Sequence, residues 1–148
     1  MRSSGLQTVI DFKEVVEALG DAIIVSDSDG VIGFWNLAAE RIFGFSPAEA
    51  LGRSLDLIIP ERLRARHWEG YARTMSTGET RYAHEVLRVP AVHKDGRALS
   101  IAFTVGLLVE QREVAGIIAV VRDETARFKE ERQLRQRLAE LEGNDMHG

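Results

Sequence analysis

The chain has 148 residues, of which 45% are apolar and 28% charged, and its formal net charge is -4. These values are typical of one soluble globular domain, and they give no general attraction for nucleic acid or a membrane surface. Because the chain contains no cysteine, disulfides, thiolate metal sites and cysteine nucleophiles are excluded. The longest apolar run, "VAGIIAVV", is too short to span a membrane, and the N-terminus lacks the apolar core of a signal peptide. We therefore expect a cytoplasmic protein with neither nucleic-acid nor membrane partners.

The first half of the chain predicts two strands and several short helices. "DFKEVVEALG" predicts a short helix that Asp11 can cap. The runs "AIIVSD" and "VIGFWN" are β-rich, and Asp29 and Gly30 between them are typical of a hairpin turn. Ser46, followed by proline, is typical of a capped helix start. The stretch "PERLRARHWEGYART" predicts a longer helix, which we expect to end near Gly78.

The second half predicts three strands and a long terminal helix. The strand-like runs are "RYAHEVLRVPAV", "ALSIAFTVGLLVE" and "VAGIIAVVRD", joined by turns at "HKDGR" and "EQRE". From Thr125 onward the pattern is helical, and Leu134, Leu138 and Leu141 recur at spacings of four and three, which predicts a short coiled-coil seam. Five strands in two blocks with helices between them indicate an α+β domain built on one antiparallel sheet with helices on one face.

These features resemble the PAS domain family from about residue 15 to residue 125. The similarity rests on "AIIVSDSDGVIGFWNLAAERIFGFSPAEALGRSLDLIIP", on "VHKDGRALSIAFTV" and on "GIIAVVRDET". The resemblance implies a five-stranded antiparallel sheet in the spatial order 2-1-5-4-3, with helices over one face enclosing a pocket. It divides the chain into an N-terminal flanking helix (1–14), a PAS domain (15–125) and a C-terminal signalling or coiled-coil helix (126–148). Photosensors that need a cysteine for their chromophore are excluded, because there is none.

His67 is the main candidate for a ligand-binding residue. In the predicted helix Leu63, His67 and Tyr71 are spaced one turn apart and share a face. A neutral imidazole that faces an apolar pocket can bind a haem iron axially. The alternative is a buried histidine whose ring is satisfied by a backbone carbonyl.

The segment "RARHWEGYART" is similar to the corresponding helix of haem-binding PAS oxygen sensors of the FixL type. The resemblance implies haem b as the cofactor, with His67 as its proximal iron ligand and metal-binding residue. It also implies that Arg73 and Arg81 contact the haem propionates, since guanidinium groups are good carboxylate partners. Leu87 stands where those sensors have an arginine that donates a hydrogen bond to oxygen, and leucine cannot donate one. The remaining pocket positions are Tyr82, Phe103 and Val105, together with Tyr71 on the helix.

Two functions remain open from the sequence. In the first, a sensory domain binds a small ligand, with haem b for gas sensing as the sharpest candidate, and transmits its state through its C-terminal helix. In the second, a cofactor-free PAS module only dimerises or binds another protein. Both imply a homodimer through the flanking helices and a downstream histidine kinase, cyclase or regulator. No nucleophile–base motif, phosphate loop or metal-ligand spacing is present, so we do not expect an enzyme.

Overall fold

The computed structural model describes residues 9–80 and 83–147, with side chains described as far as residue 144. The strands lie in two blocks with helices between them, as the sequence predicts. In chain order they are α1 (Phe12–Ala18), β1 (Ala22–Asp27), β2 (Ile32–Trp35), α2 (Leu37–Phe43), α3 (Pro47–Ala50), 3-10 turns at Leu55–Ile58 and Glu61–Leu63, α4 (Arg64–Thr77), β3 (Leu87–Val92), β4 (Ala98–Glu110), β5 (Glu113–Asp123) and α5 (Thr125–His147).

The five strands form one antiparallel sheet in the order β2-β1-β5-β4-β3. This confirms the predicted α+β PAS fold and its strand order 2-1-5-4-3. β5 is the central strand, because it pairs with β1 along one side and with β4 along the other. Among the described residues no helix combines the length and the apolar character that crossing a membrane requires.

The core lies between one face of the sheet and the short helices. Phe43 of α2 has no exposed surface, and its ring centroid lies 5.6 Å from that of Trp35 on β2. Ala50 of α3 and Ile58 of the first 3-10 turn are buried against the same cluster. The helices therefore cover the sheet face on which the predicted pocket residues were expected.

Asn36, which ends the second strand, joins three elements through its buried amide. Its oxygen accepts the N–H groups of Ile23 and Ala39 at 2.9 and 3.0 Å. Its nitrogen donates to the carbonyls of Val16 and Asp21 at 3.0 and 3.1 Å. Every polar atom of the amide has a hydrogen-bond partner, so the amide is fully buried without the free-energy cost of an unsatisfied polar group. The amide fixes α1, β1 and α2 relative to one another.

Strand β3 is shorter than the sequence predicts, and the predicted start at residue 81 was wrong for residues 83–86. The ladder to β4 begins at the Leu87–Phe103 pair. Residues 83–85 before it form a turn and a bend, and the side chains of residues 83–86 are exposed. A strand needs a neighbouring backbone to pair with, and these residues precede the first such pair. His84, which was expected on a strand, is therefore exposed in a turn. Arg81 and Tyr82 lie outside the described residues.

Candidate functional site

Trp68 of α4 contacts both the first 3-10 turn and the β1–β2 turn. Its indole N–H donates to the Asp56 carboxylate at 2.7 Å, and its ring lies over Gly30. A Cβ atom built on Gly30 would lie 2.1 Å from the nearest indole carbon, and the φ of Gly30 is +78°. Only glycine combines that backbone conformation with so close an approach. The turn and the helix are thus matched to each other at this position.

Tyr71 makes the second attachment of α4 to the same end of the sheet. Its hydroxyl donates to the backbone carbonyl of Asp27, the last residue of β1. Because this bond uses the only hydroxyl hydrogen of tyrosine, the Ser26 hydroxyl donates to the Tyr71 oxygen, 2.9 Å away. Burial raises the pKa of Tyr71, and the hydrogen bond from Ser26 opposes part of that rise. The phenol is a neutral, buried anchor.

His67 is half-buried one turn before Tyr71. Its ring centroid lies 4.6 Å from that of Trp68 and 5.7 Å from that of Tyr71. Its Nδ1 atom is buried and has no hydrogen-bond partner among the described residues, so the carbonyl-bonded alternative is not seen at this nitrogen. Burial lowers the pKa of His67, and the nearby Asp56 carboxylate opposes part of the shift. At neutral pH the imidazole is therefore uncharged, which is its ligand form.

Three of the predicted pocket residues lie on the helix-covered face of the sheet. Phe103 pairs with Leu87 on β3 and with the buried Val121 on β5. Val105 pairs with Ala119, which packs against the core. Residues paired across a ladder share a face, so Leu87, Phe103 and Val105 project to one side. Phe103 already packs against the core cluster.

The predicted propionate contacts are only partly within the described residues. Arg73 is an exposed residue of α4, and its backbone carbonyl accepts hydrogen bonds from the Ser76 and Thr77 hydroxyls at 3.1 and 2.8 Å. Arg81, the second predicted contact, and the pocket residue Tyr82 are not described. The exposed guanidinium of Arg73 is accessible to a carboxylate ligand.

Two surface clefts flank the domain, and neither is lined by a predicted site residue. The first has a volume of about 310 Å³ and is lined by Arg53, Ser54, Asp56, Leu57 and Arg64. The second has a volume of about 410 Å³ and is lined by Lys13, Glu17, Gly33, Phe34, Trp35, Pro47 and Leu51.

The residues around His67 fit a haem in their donor chemistry. Within the residues that the structure describes, no three metal-binding side chains come together. A haem iron needs only one imidazole from the protein, because the porphyrin supplies the other nitrogen ligands. His67 offers a neutral ring with an unpartnered buried nitrogen. Leu87, Phe103 and Val105 are apolar, and Arg73 is exposed; a porphyrin edge and its propionates take contacts of these two kinds.

Asp56 and Gly30 were missed as parts of this region by the sequence analysis. The sequence marks Gly30 only as a turn residue, and it does not indicate which residues Trp68 contacts. The contact between them joins residues that are far apart in the chain, so no local pattern predicts it. The available signal was the glycine itself, because a positive-φ turn residue without Cβ leaves room for a large ring.

This architecture, a five-stranded sheet covered on one face by short helices with a long helix after the last strand, defines a PAS-like sensory domain. The model of the PAS fold matches residues 10–123. The chain belongs to the PAS family. The boundaries at residues 15 and 125 stay predictions.

Two relatives and one solved structure illustrate the similarity. The sensor protein FixL of Bradyrhizobium diazoefficiens is 30% identical over 135 residues, which is 91% of this chain and 26% of FixL. The oxygen sensor protein DosP of Escherichia coli is 27% identical over 127 residues, 86% of this chain and 16% of DosP. The crystal structure of a PAS domain from Colwellia psychrerythraea has a TM-score of 0.67 at 21% identity, covering 76% of this chain and 93% of that one. The chain thus spans about a quarter or less of the length of these two relatives.

Proposed function

We propose that the chain is the sensory domain of a signalling protein and that it binds haem b through His67. The observation that carries the proposal is the half-buried imidazole of His67, whose Nδ1 lacks a partner among the described residues. Its lowered pKa supports the proposal, because a neutral imidazole binds a metal without first losing a proton. The similarity to two sensor proteins named FixL and oxygen sensor DosP supports it independently.

The chain's own residues would hold the group from three sides. His67 would be the axial ligand, and Arg73 would pair with a propionate, as would Arg81. The inner sheet face would supply the apolar wall through Leu87, Phe103 and Val105. Tyr71 and Tyr82 stay predictions for the pocket. When bound, haem would supply an iron that takes up a diatomic gas.

Leu87 shapes the selectivity that we propose for the site. A leucine side chain has no donor for a hydrogen bond to an oxygen molecule, whereas the FixL-type sensors have an arginine at this position. Polar stabilisation is one of the means by which a haem pocket favours oxygen. We therefore expect a site that takes up carbon monoxide readily and oxygen weakly.

The experiment is a titration of the purified chain with haemin, followed by the Soret band. We expect one haem per chain and at least a tenfold loss of affinity in His67→Ala. His84→Ala is the matched control, since His84 is exposed and lies in the turn before β3. In His67→Gly, added imidazole should restore the band. Binding that is not stoichiometric, or that survives in His67→Ala, would sink the proposal.

The same titration of a Phe103→Ala variant tests whether the haem lies on the inner sheet face. Its ring already packs against the core, so a porphyrin on this face needs the space that the ring occupies. We expect Phe103→Ala to increase haem uptake while it lowers the free energy of unfolding, because a large core side chain is lost. A variant that folds but takes up less haem would place the group elsewhere.

A cofactor-free dimerisation or protein-interaction module is the second candidate. The filled inner face and the exposed leucines of α5 favour it. In this case no haem is taken up, and removal of the residues beyond Thr125 gives a monomer in light scattering. In either case we propose an output through a histidine kinase, cyclase or regulator, without catalysis by this chain. The cytoplasmic location stays a prediction.

A further inference from the structure

A surface cleft beside the start of α4 contains two arginines that the proposed haem site does not use. The cleft has a volume of about 310 Å³ and is lined by Arg53, Ser54, Asp56, Leu57 and Arg64. We call it the arginine cleft. Its volume lies in the range of small-molecule sites, and guanidinium groups are well suited to phosphate and carboxylate groups. These features make the arginine cleft a candidate site for a small anion.

Arg64 is oriented by uncharged groups of the protein. Its Nε donates to the backbone carbonyl of Ile59 at 3.1 Å, and its Nη2 donates to that of Asp56 at 3.3 Å. Because carbonyl oxygens carry no net charge, these two bonds fix the position of the guanidinium without neutralising it. The Nη1 group is left for another partner.

Arg53 supplies the second positive charge from a fixed backbone. Its exposed side chain forms no ion pair or hydrogen bond with any residue that the structure describes. Its backbone N–H donates to the Ala50 carbonyl at 3.0 Å, and its carbonyl accepts the N–H of Ile32 on β2 at 2.8 Å. The side chain therefore starts from a fixed point of the fold and carries an unpaired charge at its end.

One acidic side chain, Asp56, also lines the cleft, and it is already engaged. Its Oδ1 accepts the indole N–H of Trp68 at 2.7 Å and lies 3.9 Å from the Nε of Arg64. An ion pair of that length on a surface contributes little. The lining residues together carry two positive charges and one negative charge, so the cleft keeps an excess of one positive charge on a protein whose formal net charge is -4.

We propose that the arginine cleft binds the phosphate or carboxylate group of a small anion between Arg53 and Arg64. Each guanidinium can contact two oxygens through its planar fork. The Ser54 hydroxyl oxygen accepts the N–H of Asp56 at 3.1 Å, which leaves its own hydrogen for the ligand, and Leu57 offers an apolar contact. A bound anion would join the segment after α3 to the start of α4. This inference goes beyond the proposed function and does not depend on haem.

Trp68 provides a local signal for occupation of the cleft. Its indole N–H bonds to Asp56 in the cleft wall, whereas the indole N–H of Trp35 donates to the Phe45 carbonyl at 2.8 Å. The chain has only these two tryptophans, so the NMR spectrum contains two indole N–H signals, which Trp68→Phe assigns. We expect inorganic phosphate, added to the full chain without haem, to shift the Trp68 signal in a saturable way and to leave the Trp35 signal unchanged.

The dissociation constant follows from the phosphate dependence of that shift. The titration is made at low and constant ionic strength, because salt screens exposed charges. Arg53→Gln should weaken binding about tenfold, since a hydrogen-bonded charge pair is lost. Arg66→Gln is the matched control, because Arg66 is exposed on α4 and does not line the cleft. Asp56→Asn should tighten binding about threefold, because it removes the negative charge while its amide oxygen can still accept the Trp68 N–H.

The same titration with malonate, a dicarboxylate, identifies the class of anion. Tighter binding of phosphate assigns the cleft to phosphorylated ligands, and tighter binding of malonate assigns it to carboxylic acids. The inference is overturned if neither probe gives a saturable shift of the Trp68 signal, if Arg53→Gln binds as wild type does, or if Arg66→Gln loses as much affinity as Arg53→Gln. Haem uptake is measured on separate samples, so failure of the anion site leaves the haem proposal intact, and the reverse holds as well.

Discussion

Replacing Gly30 with alanine should detach Trp68 from the β1–β2 turn. Cβ at this position would lie 2.1 and 2.3 Å from two carbons of the indole. These separations are far below van der Waals contact, and the obstructing atoms belong to a large rigid ring. The indole must therefore move, and it then loses its hydrogen bond to Asp56.

The expected loss in the free energy of unfolding of Gly30→Ala has a backbone part and a packing part. The φ of +78° at Gly30 costs an alanine about 1 kcal/mol. The displaced indole loses a hydrogen bond worth about 1 kcal/mol and apolar burial worth about 1 kcal/mol more. Gly52 has a φ of +82° and nothing within 4 Å of its Cβ position, so Gly52→Ala isolates the backbone part. We expect the two variants to differ by about 2 kcal/mol.

Urea unfolding, followed by circular dichroism and tryptophan fluorescence, measures both free energies of unfolding. In a Trp68→Ala background, Gly30→Ala should lose only the backbone part, about 1 kcal/mol, because there is no ring to displace. Equal losses in the free energy of unfolding for Gly30→Ala and Gly52→Ala would show that displacing the Trp68 ring does not destabilise the fold. That result would refute the role of Trp68 as an anchor of α4.

Three further predictions concern single side chains. Tyr71→Phe keeps the ring but leaves the Asp27 carbonyl without its donor, so the free energy of unfolding should fall by about 1–2 kcal/mol; an unchanged value in urea contradicts this. Arg112→Gly relieves a φ of +68° and should stabilise the β4–β5 hairpin by about 1 kcal/mol, so that a lower thermal midpoint would be the opposite of the expected result. The hydrogen bond from Lys94 lowers the pKa of Glu49 from 4.5 to about 2. A carboxyl group whose pKa is lowered by folding stabilises the fold at pH values above its pKa in the unfolded chain. This contribution disappears as the pH falls from 4.5 through about 2. Glu49→Gln should therefore lose less stability than wild type across that window, and identical pH profiles would exclude the effect.

Local signals predicted the parts of the fold that depend on neighbours in the chain. The capping box at Ser46 and Glu49 forms both of its hydrogen bonds, and β4 occupies the same residues, Ala98–Glu110, as its apolar pattern predicts. The αL end of α4 at Gly78 was predicted for the same reason. The start of β3 was not, because it depends on where β4 offers a pairing partner.

The candidate site was predictable only in part, for a related reason. Helical spacing correctly puts His67 and Tyr71 one turn apart, and Tyr71 is buried. Spacing does not reveal that the Tyr71 hydroxyl bonds to the end of β1 or that Trp68 covers Gly30. These contacts depend on how a helix docks on a distant turn, and many docking positions satisfy the same helical pattern.

The two ends of the proposed sensor are joined by β5. Gly78, which caps the C-terminal end of α4, lies close to the Val114 side chain at the start of that strand. The end of the strand holds the start of α5, because the Asp123 carboxylate accepts the backbone N–H of Thr125 at 2.9 Å. A ligand at α4 can alter α5 only as far as it binds two arrangements of the domain with different affinity. The effect must then be reciprocal: if haem strengthens the predicted coiled coil of α5, Leu138→Asp must weaken haem binding. A haem affinity that is the same in Leu138→Asp and in wild type would show that the two sites are not coupled.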